Sequence, residues 1–543
     1  MLIKAGIKQA VVCPGSRNAA IVHNLQAAGI ECFDITDERS AGFFAIGLID
    51  ANGGMPVAVC VTSGSAVLNL APAISEAFYR NLPLIAVTAD RPTRWIGQMD
   101  GQTMPQPNAF GDLVAKCVSL PEPSDEESLW YCNRLINEAL IEQKRTSKPV
   151  HINVPITEPM FDFSEKSLPE VRFIKWESSK NAAFVMSDSM IRCWEESKHI
   201  LIIVGQMSPK EMNTCSGFLK QLSSAGCVVF AENLSNIHAY SNPVISPDEI
   251  EDFYIGNFDE ILKNKPLPNA DLIITLGGHI VSKRLKQHIR KNPPKFHWHV
   301  SPRGEFADLF MCCTHMIEAD NKNLLEALCK ECHTAKENSF KQEIHKLSKE
   351  AATNLDTTSS NAALKTLLPY IKENWNICVA NSSMVRDLQK FFKGTNLVFC
   401  NRGINGIEGS SSAAVGLWIG SKRPTVLLTG DLSFFYDQNA LWNKYAGTNK
   451  HDDNCVDAKQ SKPAPLRIFL INNGCGNIFH SLPGLQSPYL EKSIAATHTT
   501  SAEGIAKQSG IRYLTASTIR DLEYVIPEFL NNDCDVALLE YFV

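Results

Sequence analysis

Two stretches decide the fold: Thr425–Trp442, TVLLTGDLSFFYDQNALW, and Leu466–Phe479, LRIFLINNGCGNIF. Each opens with a short apolar run and closes on turn residues, the pattern of a strand buried on both faces of a parallel sheet. The first strand ends in Gly430–Asp431 and the second in Asn472–Asn473–Gly474. Both ends then lie at the carboxyl edge of a sheet, where open α/β folds bind ligands. A carboxylate, an amide oxygen and a nearby backbone carbonyl form the hard-oxygen set that magnesium favours, its other positions going to diphosphate oxygens and water. Gly430 lets backbone approach a phosphate, and the start of the next helix favours an anion. The ordinary alternative is two unremarkable strand-end turns.

Outward from this core, short β-rich runs alternate with helical patterns along the whole chain, as in layered α/β domains. Strands are expected at Ala10–Cys13, Cys32–Ile35, Val57–Val61, Leu84–Thr88 and His151–Val154. A second set falls at His199–Val204, Val228–Ala231, Leu272–Leu276 and Phe296–Val300. A third falls at Ile377–Ala380, Leu397–Cys400, Thr425–Leu428, Arg467–Ile471 and Val536–Leu539. The expectation is three doubly wound α/β domains at 1–167, 190–333 and 360–543, joined by a linker near 168–190 and by a charged helix and linker between Thr334 and Ser360.

The chain has 543 residues, 44% hydrophobic and 20% charged, enough to bury large cores without staples. A net charge of -6 argues against a nucleic-acid or anionic-membrane surface as the main partner. The 17 cysteines are an odd number without a regular frame, which suits free thiols in a reducing compartment. MLIKAGIKQAVV lacks the apolar core and cleavage site of a signal peptide. Pro56–Ser75 is broken by Thr62, Ser63, Gly64, Asn69 and Pro72, and reads as strand, turn and helix, not a membrane span. A cytoplasmic protein is expected.

The Gly-Asp pair followed by an Asn-Asn pair resembles the signature of thiamine-diphosphate enzymes. Two features depart from it. Leu432 stands where many relatives have Gly, and Asp431 and Asn473 are 42 positions apart, more than is usual. An insertion at Gly447–Pro465, GTNKHDDNCVDAKQSKPAP, accounts for the excess as a polar surface loop. Such an enzyme also needs a carboxyl group to hydrogen-bond the cofactor's aminopyrimidine. The candidate is Glu38 in DITDERSAGFFAIGL, after a strand and at the start of a helix. That role asks for a largely desolvated carboxyl; the bland reading is that Asp37 and Glu38 only stabilise a helix N-terminus.

CPGSRNAAIV, DITDERSAGFFAIGL, VTSGSAVLNLAPAISEA, TADRP, SKRL, NSSMVRDL, NRGINGIEG and GDLSFFYDQNAL, in this order, closely resemble the 2-succinyl-5-enolpyruvyl-6-hydroxy-3-cyclohexene-1-carboxylate synthase (MenD) family of menaquinone biosynthesis. The resemblance runs from about Ala10 to Leu490. It implies pyrimidine-binding, middle and diphosphate-binding domains. It also implies a transferase that uses thiamine diphosphate and magnesium, with manganese as a substitute. That transferase decarboxylates 2-oxoglutarate and adds the four-carbon remainder to isochorismate. By the same resemblance Glu38 activates the cofactor, and Ile407 is the apolar prop beneath it. Gly430, Asp431, Leu432 and Ser433 line the diphosphate, and Asp431, Asn473 and the Cys475 carbonyl hold the metal. Relatives commonly have Gly at the position of Cys475. The superfamily builds its sites between subunits, so a homodimer or homotetramer is implied. Family members usually carry a helix ahead of the first strand; here MLIKAGIKQ precedes it, which leaves either a start upstream or a shortened helix.

Both substrates are dicarboxylates, and arginine suits planar carboxylate recognition. The matching cations are Arg17, Arg91, Lys283, Arg284, Arg386 and Arg402, with Ser16, Gln102 and Ser382 as neutral donors and Asn477 and Phe479 as site lining. Taken singly, each is an ordinary surface charge or salt-bridge partner. Other readings fare worse. Cys329–Cys332–His333 matches a haem-attachment spacing in a helical context without an export signal, a zinc site lacks a second CxxC pair, and GGHIVSKR is not a full GxGxxG. An acetolactate- or oxalyl-CoA-type thiamine enzyme would need fewer cations. A retired scaffold would have lost Glu38 or Asp431, and a pyruvate-oxidase-like flavoprotein would be coloured.

Overall fold

The computed structural model describes residues 1–158, 160–163, 169–178, 183–240, 253–331, 338–353, 355, 357–447, 464–482, 484–531 and 535–543. Most of the expected insertion at Gly447–Pro465, and Cys332 and His333 of the haem-like spacing, lie outside the described residues. The chain forms two compact units: Met1–Glu177 with Trp375–Ser382 and Cys400–Val543, and Ser178–Asn374 with Ser383–Phe399.

The first unit holds a parallel sheet of β1 (Gln9–Val12), β2 (Glu31–Asp34), β3 (Val57–Val61), β4 (Leu84–Asp90), β5 (Lys116–Ser119) and β6 (Val150–Pro155), in the order β2-β1-β3-β4-β6-β5. The second unit holds β7 (Ile200–Val204), β8 (Val228–Ala231), β9 (Leu272–Leu276), β10 (Phe296–Val300) and β11 (His315–Ile317), in the order β11-β10-β9-β7-β8, and also β13 (Val398–Phe399). The remaining strands are β12 (Asn376–Val379), β14 (Thr425–Gly430), β15 (Leu466–Asn472), β16 (Arg512–Ala516) and β17 (Val536–Phe542). They run β12-β14-β15-β17-β16 in the first unit, again all parallel. The fold class is therefore α/β with three parallel sheets. Central strands such as VAVCV at β3 and LRIFLIN at β15 are buried along their whole length because helices cover both faces. The linker expected over 168–190 gives way at Asp188 to a helix, Asp188–Glu196, capped by the Ser187 hydroxyl.

Two helices of the first unit cross at very close range. Glu38–Ala51 is buried continuously from Ser40 to Ile49, and Ser410–Ser421 is nearly as enclosed. A helix apolar on all sides must be wrapped. Their backbones meet at glycines: a Cβ on Gly47 would lie 2.1 Å from the Ala413 carbonyl oxygen, and one on Gly416 would lie 2.1 Å from that of Phe44.

Gly217 is the opposite case. It sits on the exposed face of helix Pro209–Ser224, and a Cβ there would meet nothing within 4 Å. Gly217→Ala is expected to stabilise the second unit by about 0.5–1 kcal/mol, because alanine loses less backbone entropy in a helix. Denaturant titration followed by intrinsic fluorescence reads this, and a lowered midpoint would contradict it.

Candidate active site

The register of β14 on β15 pairs Gly430 with Ile471, which sets the two motif ends side by side. Asp431 opens the next helix and is 3% exposed. Its carboxylate accepts from the Leu432 amide at 2.6 Å and from the Asn473 amide at 3.0 Å. His498 Nε2 stands 3.4 Å from the same oxygen that takes Asn473. Burial pushes the Asp431 carboxyl up, and the Leu432 amide, His498 and the Asn473 amide oppose that rise. The Asn473 side-chain oxygen accepts from the Cys475 amide at 3.2 Å, and the Cys475 carbonyl accepts from Asn477 at 3.0 Å.

Beneath this loop, Asn472 donates to the buried Glu540 carboxylate at 2.7 Å and to the Thr500 carbonyl at 2.8 Å. The first Asn of the pair is thus an anchor that leaves the second at the surface of the loop. Around Gly430 a Cβ would meet nothing within 4 Å, so its backbone faces open space. A carboxylate, an amide oxygen and a carbonyl beside an open glycine fit a hard divalent cation and a diphosphate. Among the described residues no group of three or more His, Cys, Asp or Glu gathers as a metal site.

Ile407 is partly exposed, and its carbonyl accepts from the Ser433 hydroxyl at 2.6 Å, tying its loop to the helix that begins with Asp431. Phe479 packs over Gly476, where a Cβ would lie 2.8 Å from its ring, while Asn477 is exposed.

At the edge of the first sheet, Asp37 caps the helix by accepting from the Arg39 and Ser40 amides at 2.9 and 3.2 Å. Its other oxygen takes the Asn439 amide group, and Arg39 donates to the Tyr436 carbonyl at 2.7 Å. The next residue turns elsewhere. Glu38 is half-buried, and its carboxylate accepts from Asn69 at 3.1 Å. Within the single chain Glu38 is therefore not the enclosed carboxyl that the sequence leads one to expect.

The same edge gathers cations. Arg17 follows β1, is 4% exposed, and donates to the Ile156 carbonyl at 2.6 Å and to Glu158 at 3.0 Å. Arg91 follows β4 and faces Asp100 at 3.2 Å and the same Glu158 oxygen at 3.6 Å. Two guanidinium groups thus converge on one carboxylate that is itself 65% exposed. Ser16 beside them is exposed. Gln102, at φ +55°, lays its backbone against Gly64. Gly64 has φ +82°, and a Cβ on it would stand only 3.2 Å from the Gln102 Cα, so both conformation and space call for glycine there.

Ser382 follows β12 with φ +70°, and Arg402 is buried after the segment that leads into NRGINGIEG. In the second unit Lys283 and Arg284 open helix Lys283–Lys291, and Arg284 pairs with Asp259. Cations in a first turn oppose the helix dipole by about 0.3–1 kcal/mol each, a cost an anionic ligand would reverse. Arg386 lies on helix Ser383–Phe391 of that unit. Sequence reasoning passed over Glu158, Asn381, His498 and Glu76. Only Glu76 left a signal, an acid inside the apolar run APAISEA.

Residues 1–113 match the family model for "Thiamine pyrophosphate enzyme, N-terminal TPP binding domain", and residues 170–370 match "Middle domain of thiamine pyrophosphate". The chain is similar to 2-succinyl-5-enolpyruvyl-6-hydroxy-3-cyclohexene-1-carboxylate synthases over nearly its whole length. It is 44% identical to that of Bacteroides thetaiotaomicron, covering 99% of this chain and 93% of the relative. It is 42% identical to that of Bacteroides fragilis, over 96% and 91%. It is 33% identical to that of Flavobacterium johnsoniae, over 99% and 93%. With the Asp431–Asn473 pair and the edge arginines in place, these likenesses show that the chain belongs to the 2-succinyl-5-enolpyruvyl-6-hydroxy-3-cyclohexene-1-carboxylate synthase family of thiamine-diphosphate enzymes.

Proposed function

We propose that this protein releases carbon dioxide from 2-oxoglutarate and joins the remaining four-carbon unit to isochorismate, in the synthesis of menaquinone. When bound, thiamine diphosphate supplies the electron sink for the decarboxylation. The observation that carries the reading is the hydrogen bond from the Asn473 amide to the Asp431 carboxylate, which brings the two cofactor motifs together.

In this reading Asp431, the Asn473 side-chain oxygen and the Cys475 carbonyl hold magnesium, for which manganese can substitute, and Gly430, Leu432 and Ser433 border the diphosphate. Ile407 offers the apolar prop. Glu38 holds and returns the proton that activation requires. Arg17, Arg91, Arg402, Lys283, Arg284 and Arg386 hold substrate carboxylates, with Ser16, Gln102 and Ser382 as neutral donors and Asn477 and Phe479 as lining. Glu158 keeps Arg17 and Arg91 paired until a dicarboxylate takes its place. Such an exchange is inexpensive because Glu158 is largely in water.

Glu38 faces Asn69 and not the metal ligands of its own chain. This supports a site completed by a second copy, as a homodimer or homotetramer. Every described cysteine is a free thiol, and among the described residues no helix is long and apolar enough to cross a membrane. Both accord with a cytoplasmic setting.

The test is carbon dioxide release by purified protein given thiamine diphosphate, magnesium and 2-oxoglutarate, with isochorismate loss followed in parallel. Turnover is expected to require both substrates, to vanish after chelation and to return with magnesium or manganese. Release from pyruvate that ignores isochorismate would move the protein to the acetolactate-type enzymes.

A further inference from the structure

Glu76 lies in helix Ala71–Arg80 and is 1% exposed. Its two oxygens accept from two consecutive backbone amides, Gly403 at 2.9 Å and Ile404 at 3.0 Å. Those amides directly follow Arg402. On the other side, the Asn381 side chain donates to the Asn401 carbonyl at 2.6 Å and to the Gly406 carbonyl at 2.8 Å, and its oxygen accepts from Arg402 Nη1 at 3.0 Å. The loop around Arg402 is therefore held from both flanks by buried side chains.

The fit at Glu76 is close. A Cβ on Gly403 would stand 2.6 Å from the Glu76 carbonyl oxygen and 2.9 Å from its carboxylate. Arg80, one turn on, lies 3.9 Å from the Glu76 carboxylate and bonds Asp50 at 2.8 and 3.1 Å. A buried carboxylate costs several kcal/mol unless it is fully bonded. Burial pushes the Glu76 carboxyl up, and Arg80 and the two amides oppose it. An apolar residue would pack the same space without that cost, so packing alone does not explain an acid here.

Arg402 shows what the acid serves. It is 6% exposed, and its buried Nε has no hydrogen-bond partner among the described residues. A guanidinium with a donor to spare, in a loop held from both flanks, can take a carboxylate. The device recurs in the second unit. Glu232, 2% exposed, accepts from the Val281 and Ser282 amides at 2.7 and 2.8 Å, immediately before Lys283 and Arg284.

We propose that Glu76 is a positioning residue: by fixing the amides of Gly403 and Ile404 it aims Arg402 at one carboxylate of a dicarboxylate substrate. This rests on the reading of Arg402 as a substrate cation, and the test separates the two. It is a double-mutant cycle on Glu76→Gln and Arg402→Lys, read as KM for each substrate and as kcat, with thiamine diphosphate binding and melting temperature recorded for every variant.

Arg402→Lys is expected to raise KM for one substrate by about 10- to 100-fold. Glu76→Gln keeps the shape but turns an NH2 group toward one amide. It is expected to raise KM for that same substrate about 10-fold, with kcat little changed. The double variant should then be no worse than Arg402→Lys within about twofold, since both act through one contact. Losses that multiply, or a fall in kcat alone, would overturn the positioning role and leave Arg402 as a binder. An Arg402→Lys variant with unchanged KM for both substrates would overturn the reading of Arg402 itself, and the proposal with it. If Glu76→Gln does not fold, Glu76→Asp, which keeps the charge but reaches one amide at most, enters the same cycle and is judged by the same outcomes.

Discussion

Glu38→Gln is expected to lower isochorismate-dependent turnover by about 10²- to 10⁴-fold, the range typical of losing a proton-transfer group. The substitution is mild structurally. Asp37, not Glu38, caps the helix, through the Arg39 and Ser40 amides. The glutamine oxygen can still accept from Asn69. The negative charge in the first turn is worth about 0.3–1 kcal/mol through the helix dipole, too little to unfold a chain of this size. Circular dichroism and thiamine diphosphate binding should therefore stay near wild type while single-turnover carbon dioxide release collapses. A Glu38→Gln enzyme that turned over at close to the wild-type rate would remove Glu38 from the chemistry and leave Asp37 and Glu38 as helix-start residues.

The second large effect concerns the helix crossing. In Gly416→Ala the new methyl carbon would lie 2.1 Å from the Phe44 carbonyl oxygen and 3.0 Å from its Cα. In Gly47→Ala it would lie 2.1 Å from the Ala413 oxygen and 2.6 Å from the Leu417 nitrogen. These are main-chain atoms inside two wrapped helices, so no side-chain rotation relieves the overlap. Alanine gains about 1 kcal/mol in helix propensity. Overpacking costs about 1–3 kcal/mol, and more when backbones must part. The net expectation is a loss on the order of 2 kcal/mol or more for either change, seen as an apparent melting temperature lower by about 3 °C or more, or as insoluble protein. An unchanged melting curve would mean that the two helices cross farther apart than these distances require.

The strands the sequence hid share a position, although the edge strands β2 and β8 were anticipated. VAVCV, LLTG and LRIFLIN sit inside their sheets, covered on both faces, and their composition advertises it. The strands not anticipated, β5 (KCVS), β11 (HMI) and β16 (RYLTA), each lie at the edge of a sheet and are only partly buried. Edge strands need less apolar surface, so their sequences carry a weaker pattern. The site divides in the same way. Gly430–Asp431 and Asn472–Asn473 were legible because a strand end and a special residue coincide in sequence. The partners of the candidate cations were not. That Arg17 and Arg91 share Glu158, or that Glu76 grips the loop of Arg402, depends on pairings of residues far apart in the chain, and no local pattern records those.

Set β2 aside, and the first sheet reads β1-β3-β4-β6-β5; the other sheet of that unit reads β12-β14-β15-β17-β16. The two follow one plan, each strand matched by a counterpart of like length, polarity and parallel neighbours. A chain emerging from a ribosome completes the earlier copy before the later one exists, so each strand meets its proper neighbour by default. A chain released all at once from denaturant has no such order: a central strand meets two slots of the same topology, which only side-chain packing tells apart, and parallel pairing across long loops is slow to correct. Vectorial synthesis thus sets an order of pairing that the shared topology of the two sheets does not set by itself.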